Sequence, residues 1–205
     1  MLDDLLKVVK NVVVVDDGSR DDTAGEVLKR PVWLARHAVN LGQGASLQTG
    51  IAFALERQAE IIITFDADGQ HCTSDIPVLI EHLATHDADF ALGSRFLGKA
   101  PGIPLSRKLM LRMAVLFTRV LSGVALTDAH NGLRAMTRRG AEKIHITMNR
   151  MEHASEIIDQ IARSGLKYVE APVTIRYTAD SLAKGQKSSD ALRLGIKLLL
   201  EKVIR

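Results

Sequence analysis

Asp66-Ala67-Asp68 puts two carboxylates within three residues, directly after the apolar run Ile61-Ile62-Ile63-Thr64-Phe65 and before Gly69-Gln70-His71. The run is short, β-branched and continuous, the pattern of a strand buried on both faces. On an extended segment residues i and i+2 point the same way. The two acids therefore face together, Ala67 faces away and Gly69 lets the chain turn. Like charges at that spacing repel unless a cation lies between them. A divalent ion such as Mg²⁺ or Mn²⁺, held by hard oxygens and partly by substrate phosphates, suits them. The same spacing also fits a plain strand end with two solvated acids, and the rest of the chain decides between the two.

Other stretches carry chemistry of a compatible kind. Val12-Val13-Val14-Val15 reads as a buried strand and runs into Asp16-Asp17-Gly18-Ser19, with Asp21-Asp22-Thr23 beyond. A strand that passes into acids, Gly and Ser and then a helix is an α/β ligand-binding edge or a plain βα loop, and Ser19 or Asp21 can cap the helix. Asn40-Leu41-Gly42-Gln43-Gly44-Ala45 opens a helix expected over Ser46–Gln58. Its glycines permit close backbone approach and its N-terminus favours anions. It is neither a Walker A loop nor a full GxGxxG, since no Lys-Ser/Thr follows Gly44 and position 47 is Leu. Gly93-Ser94-Arg95 ends a further apolar run, and Asp128-Ala129-His130-Asn131-Gly132-Leu133-Arg134 is a polar turn.

The elements that must position these residues alternate. Helices are expected at Leu2–Val9, Asp75–Thr85, Ser106–Ser122 and Glu152–Ser164, and strands at Val32–Leu34 and Asp89–Arg95. A strand over Val169–Arg176 is interrupted by Pro172, which points to an edge or entry position. The alternation argues for an α/β fold, a mostly parallel sheet with helices on both faces. Ligands of such sheets sit at the carboxyl ends of the strands. Asp17, Asp66, Asp68 and Arg95 all fall at such ends and can converge.

At 205 residues, with 46% hydrophobic and 25% charged residues, the chain can bury a full core and is not disordered. Its one cysteine, Cys72, excludes an internal disulfide and is expected to be structural or incidental. No apolar run reaches the length of a membrane span and no signal peptide is recognised. The net charge of +3 and pI near 9.1 are mild, but between Arg95 and Thr127 there are basic residues and no acidic ones. Residues 181–205 carry six Lys/Arg against Asp190 and Glu201, a net +4. The expected organisation is one α/β domain over 1–180 and a basic amphipathic tail over 181–205. The Ser106–Ser122 helix and one over Ala191–Ile204 combine basic residues with apolar faces. They lie on a membrane surface or pack on the domain.

Taken in order, Val14–Ser19, Asn40–Gly44, Asp66–His71, Gly93–Phe96 and Asp128–Arg134 resemble a family 2 glycosyltransferase of the GT-A fold, with the nearest likeness to polyprenyl-phosphate (dolichyl-phosphate mannose synthase-like) sugar transferases. The resemblance implies a metal-dependent transfer of a hexose from a nucleotide-sugar (GDP- or UDP-hexose) to a polyprenyl phosphate. It places the enzyme in the cytoplasm, peripheral on the membrane, with no nucleic-acid partner. By the same resemblance Asp16 and Asp17 hold the nucleoside. Asp66 and Asp68 hold Mg²⁺ or Mn²⁺ on the diphosphate, with Gln70 as a third protein ligand. Arg95 faces phosphate, Arg176 joins the substrate-binding set, and Asp128 lies near the acceptor as orienting group or base. A phosphate acceptor is already ionised and nucleophilic, so it needs positioning and charge balance more than proton removal.

Family members open with a strand and a Pro-x-Tyr-Asn-Glu-like loop ahead of the first helix, whereas this sequence starts at that helix. A sheet without that internal strand is expected, with backbone groups left unpaired. The alternatives are a transferase of the same fold with a soluble acceptor, and an inactive nucleotide-binding paralogue.

Overall fold

The computed structural model describes residues 1–177, except for the side chains of residues 117 and 120–122. The tail helix expected over Ala191–Ile204, and the 181–205 segment as a whole, lie outside the described residues.

In chain order the elements are α1 (Leu2–Leu5), β1 (Val13–Asp16), α2 (Thr23–Leu28), β2 (Trp33–Arg36), α3 (Gln43–Glu56), β3 (Ile61–Thr64), a 3-10 turn (Thr73–Asp75), α4 (Ile76–His86), β4 (Phe90–Lys99), α5 (Leu105–Ser122), β5 (Arg134–Thr137), α6 (Arg138–Ala141), α7 (His153–Ser164) and β6 (Tyr168–Thr174). They alternate as the sequence pattern requires, and most of the expected helix bounds hold to within a residue or two. The exceptions are α1, which stops at Leu5, and α3, which begins three residues early at Gln43.

β1 and β2 form a parallel pair, and the other strands form a four-stranded sheet in the order β3-β5-β4-β6. β5 is antiparallel to both neighbours, so β3 and β4 run the same way, and β6 runs parallel to β4. Three of the four strands thus share a direction, with β5 reversed between them. β6 is one of the two edge strands, and its Pro172 sits opposite Ser94, where the missing N–H leaves no inner ladder unmade.

The sheet separates two apolar layers because its side chains alternate. Phe90, Leu92 and Met136 face one side, where Ile51 of α3 and Ile157, Ile158 and Ile161 of α7 close over them. Ala91, Ala135, Ala171 and Val173 face the other, and these small side chains let Leu79 and Leu83 of α4 pack close. α7 shows why it forms a helix here. Ala154, Ile157, Ile158 and Ile161 recur at i, i+3, i+4 and i+7, and all four are buried. Each fully buried Ile contributes roughly 1.5–3 kcal/mol relative to exposure.

Two strands are less buried than their composition predicts. Val12 is buried but Val13, Val14 and Val15 are only half-buried, and in β3 Ile62 and Thr64 are buried while Ile61 is 41% exposed. The reason is topological. β1 pairs only with β2 and β3 only with β5, so each keeps one open edge where side chains lack a neighbouring strand to cover them. The two sheets meet through side chains instead: Val14 of β1 and Ile63 and Phe65 of the β3 segment pack on the cluster of Leu5, Val12 and Ile76.

His153, at the start of α7, is 4% exposed, and its Nδ1 lies 2.6 Å from the Arg150 carbonyl. Burial pushes its pKa below the ordinary value, more than the Arg150 carbonyl raises it. The imidazole is thus neutral when folded, and the unfolded chain takes up the extra proton first. Stability is fully present above the unfolded pKa of about 6.5 and is lost as pH falls toward the folded value. The urea midpoint is expected to drop between pH 7.5 and 5.5, and to drop less in His153→Gln.

Candidate active site

The site is built on the loops that leave β1 and β3, on Arg95 within β4, which runs on to Lys99 instead of ending at Arg95, and on the loop that enters β5. β3 ends at Thr64, so Asp66 and Asp68 lie in the turn beyond the strand and not on an extended segment. The period-two argument for their shared direction therefore does not apply, and hydrogen bonds orient them instead. Asp66 Oδ1 accepts from Gln43 Nε2 at 2.9 Å and Oδ2 lies 3.3 Å from His71 Nε2. Asp68 is exposed, and its Oδ1 accepts from the Gln70 N–H at 2.9 Å. The Gln70 carbonyl accepts from the Arg176 N–H at 2.9 Å. Arg176, whose side chain is exposed, is thereby fixed beside the acid turn.

Asp66 also meets β5. The antiparallel register pairs Thr64 with Arg134, and its continuation puts Asp66 opposite Gly132. A Cβ on Gly132 would sit 2.1 Å from Asp66 Oδ2, so only glycine admits the carboxylate there. The Thr64 hydroxyl donates to the Gly132 carbonyl at 2.6 Å and locks the two segments together. Burial alone would raise the Asp66 pKa. His71, Arg134 and Gln43 outweigh it and hold the carboxyl below its ordinary range.

The acids after β1 are engaged within the fold. Asp16 is buried, accepts from the Ser19 N–H at 2.9 Å and pairs with Arg36 at 3.1 Å. Asp17 Oδ1 takes the Leu41 N–H at 2.9 Å and His37 Nδ1 at 2.7 Å, and Oδ2 takes the Gly42 N–H at 2.7 Å. Asp17 therefore clamps the glycine loop, and its carboxylate is itself the anion at the amino end of α3. Gly42 has φ +107°, and a Cβ there would meet the Asn149 carbonyl at 2.3 Å. Beside this clamp an open cleft of about 510 Å³ is lined by Gly18, Ser19, Arg20, Arg36, His37 and Asn40, among others.

The structure joins Arg95, expected to face phosphate, to Asp128, expected near the acceptor as orienting group or base. Both are buried, and they bind each other: Asp128 Oδ2 accepts from Arg95 Nε at 2.6 Å and from its backbone N–H at 3.1 Å. Arg95 also donates to the Tyr177 hydroxyl and, at 3.3 Å, to the His130 carbonyl. Burial opposes the Arg95 charge, but Asp128 and Tyr177 more than offset it and raise its pKa. Asp128 Oδ1 is buried with no hydrogen-bond partner.

Sequence reasoning left Gln43, His71, His37, Arg134 and Tyr177 out of the site. Gln43, His71 and Arg134 lie inside motifs already singled out, which was the available signal. His37 and Tyr177 carried none. Among the described residues no group of three or more His, Cys, Asp or Glu comes together in a way that could hold a metal ion. Asp66 and Asp68 nevertheless offer hard oxygens on one turn, with the Gln70 amide beside them, a donor set suited to Mg²⁺ or Mn²⁺ that leaves coordination positions for phosphate oxygens.

The family described as glycosyl transferase family 2 matches residues 1–144. The undecaprenyl-phosphate mannosyltransferase of Micrococcus luteus is 32% identical over 174 residues, covering 80% of this chain and 71% of that protein. The UDP-N-acetylglucosamine–dolichyl-phosphate N-acetylglucosaminyltransferase of Methanococcus voltae is 28% identical over 215 residues, covering 94% of this chain and 85% of that one. Among solved structures, glucosyl-3-phosphoglycerate synthase from Mycobacterium tuberculosis in complex with Mn²⁺ and UDP-glucose superposes with a TM-score of 0.68 at 19% identity, covering 98% of this chain and 72% of the other.

The buried Arg95–Asp128 pair generates a stability prediction. Asp128→Asn leaves an uncompensated buried guanidinium, expected to cost about 3–5 kcal/mol. A solvated turn acid would cost no more than about 0.5 kcal/mol. Urea denaturation distinguishes the two.

Proposed function

This chain belongs to glycosyl transferase family 2, and we propose that it transfers a hexose from a nucleotide-sugar to a polyprenyl phosphate, with a divalent metal on the donor diphosphate. Its fold is the GT-A arrangement that the motifs implied. The observation that carries the reading is the 2.9 Å bond from Gln43 to Asp66. It ties the glycine loop at the amino end of α3 to the acid turn after β3, so the cleft beside β1 and the carboxylates of Asp66 and Asp68 share one edge of the fold.

In this reading the nucleoside lies in the cleft lined by Gly18, Ser19, Arg36 and His37. Asp16 and Asp17 shape that cleft from beneath: Asp17 holds the loop and Asp16 holds Ser19 and Arg36. Asp66 and Asp68, with Gln70, would hold the metal, which supplies neutralisation of the leaving diphosphate. Arg176 borders the same turn and adds positive charge for a phosphate. Asp128 acts through Arg95 as a positioning residue at the acceptor side, which suits an acceptor that needs charge balance more than deprotonation.

The acceptor class rests on the relatives' names together with α5. Leu105, Leu109, Met113 and Leu116 recur at intervals of four, four and three residues and are 82, 63, 58 and 55% exposed. They form one apolar stripe, with exposed Arg112 and Arg119 on the same helix. A helix of this kind lies in a lipid interface, and each basic residue near an anionic surface contributes about 1 kcal/mol. No helix among the described residues is long and apolar enough to cross a membrane, and attachment by α5 is peripheral.

Two outcomes follow. Asp68→Ala is expected to abolish Mg²⁺- or Mn²⁺-dependent release of nucleoside diphosphate from a panel of GDP- and UDP-hexoses presented with a short polyprenyl phosphate, while the fold persists. Wild-type turnover that survives excess chelator counts against the metal role. The intact chain is also expected to co-sediment with anionic liposomes at low salt, less at high salt, and less again in Leu109→Glu/Leu116→Glu. A chain that stays in the supernatant at low salt favours a soluble acceptor.

A further inference from the structure

Arg134 is the one buried charge in the site that the proposed reaction does not use. It is 3% exposed, and its Nη1 has no hydrogen-bond partner. The acid that could have paired with it, Asp128, is taken by Arg95. Its position is nonetheless specific. Arg134 is cross-strand from Thr64 and so shares its face of the sheet, while Asp66, two residues beyond Thr64, meets the segment that enters β5 at Gly132. Gly132, two residues away, brings no side chain between them, so Asp66 lies directly on the β5 segment. Burial disfavours the Arg134 charge, while Asp66 and Asp128 favour it, and Arg134 in turn lowers the Asp66 pKa.

We propose that Arg134 is a positioning residue that acts as a fixed counter-charge behind the acid turn, holding Asp66 in place while weakening the turn's affinity for a divalent cation alone, so that the cation is captured together with an anionic diphosphate. The inference rests on the reading of Asp66 and Asp68 as metal ligands and deepens it. A buried cation on the protein side of Asp66 repels a second cation on the solvent side, and low surrounding polarity strengthens that repulsion. The same cation attracts a diphosphate, so its effect reverses once the phosphates arrive. The donor count agrees: among the described residues no three His, Cys, Asp or Glu side chains are arranged to hold a metal ion, and the His71 imidazole beside Asp66 is turned to that carboxylate, so the turn completes a coordination sphere with oxygens from outside the chain.

The test is titration of the whole chain with Mn²⁺ alone, and with Mn²⁺ plus UDP or GDP, followed by the electron paramagnetic resonance of free Mn²⁺. The variants are Arg134→Met, Arg134→Gln and Arg134→Lys. Both neutral variants are expected to bind Mn²⁺ alone more tightly, on the order of tenfold, and the gain in Mn²⁺ affinity on adding nucleoside diphosphate should shrink. Arg134→Lys should stay near wild type. A role in folding alone predicts no such opposite movement, and thermal midpoints recorded in parallel identify unfolded variants. Unchanged or weaker Mn²⁺ binding in a folded neutral variant overturns the proposal, as does failure of both neutral variants to fold. Asp68→Ala separates the two levels. If it binds Mn²⁺ as wild type does, the metal reading itself fails. If it loses Mn²⁺ while the Arg134 variants do not differ from wild type, only the counter-charge fails.

Discussion

The reversal of β5 between β3 and β4 is the constraint on which the site depends. Because β5 runs antiparallel to β3, the residues that lead into it lie against the residues that leave β3. Gly132 then meets Asp66, Arg134 is paired across from Thr64, and the Asp128 loop is carried to the middle of β4, where Arg95 lies. A parallel strand in that place would bring its own carboxyl-end loop to this edge and send the Asp128–Arg134 segment to the opposite one. One change of strand direction thus joins segments of the chain about 65 residues apart in a single polar centre.

That centre is organised by pairing buried charges. Asp17 is satisfied by backbone N–H groups and His37, Asp128 by Arg95, and Asp66 by Gln43 and His71. Each of these groups is costly to bury alone, and the geometry gives each a partner. Spare hydrogen-bonding capacity is left on Asp128 Oδ1, which has no partner, and around the acid turn. Asp68 lies exposed on the turn, Arg176 borders it, and Arg134 keeps an unpaired Nη1. Pre-arranged charge of this kind lets a site stabilise a leaving diphosphate without reorganising during the reaction.

Strand edges and site are linked through packing. The open edges of β1 and β3 leave their Val and Ile side chains half-covered, yet the loops that follow both strands are fixed by hydrogen bonds: Gln43 to Asp66 crosses between the two sheets, and Asp17 to Gly42 joins the loops after β1 and β2. Hydrogen bonds at the carboxyl ends do part of the work that a continuous ladder would do. α7 and α3 close the larger apolar layer, while α5 keeps its apolar stripe outward.

The sequence by itself determined the order of elements, the α/β class, the edge position of β6 from Pro172, and the stretches in which the site lies. It did so because periodicity, turn residues and the ordered motifs are local signals. Only the tertiary structure decided what the individual groups do. Asp17, read as a ligand group, is the clamp of the glycine loop. Arg95 and Asp128, assigned from sequence to phosphate and acceptor without a bond between them, form a buried ion pair. Gly132, inside a motif but without an assigned part, is what the Asp66 carboxylate rests against, with the buried Arg134 two residues on. The half-burial of Val13–Val15 and Ile61 followed from which strands pair, not from composition. In each case the deciding quantity is the distance between residues far apart in the chain, and local sequence carries no record of it until the register of β5 against β3 is known.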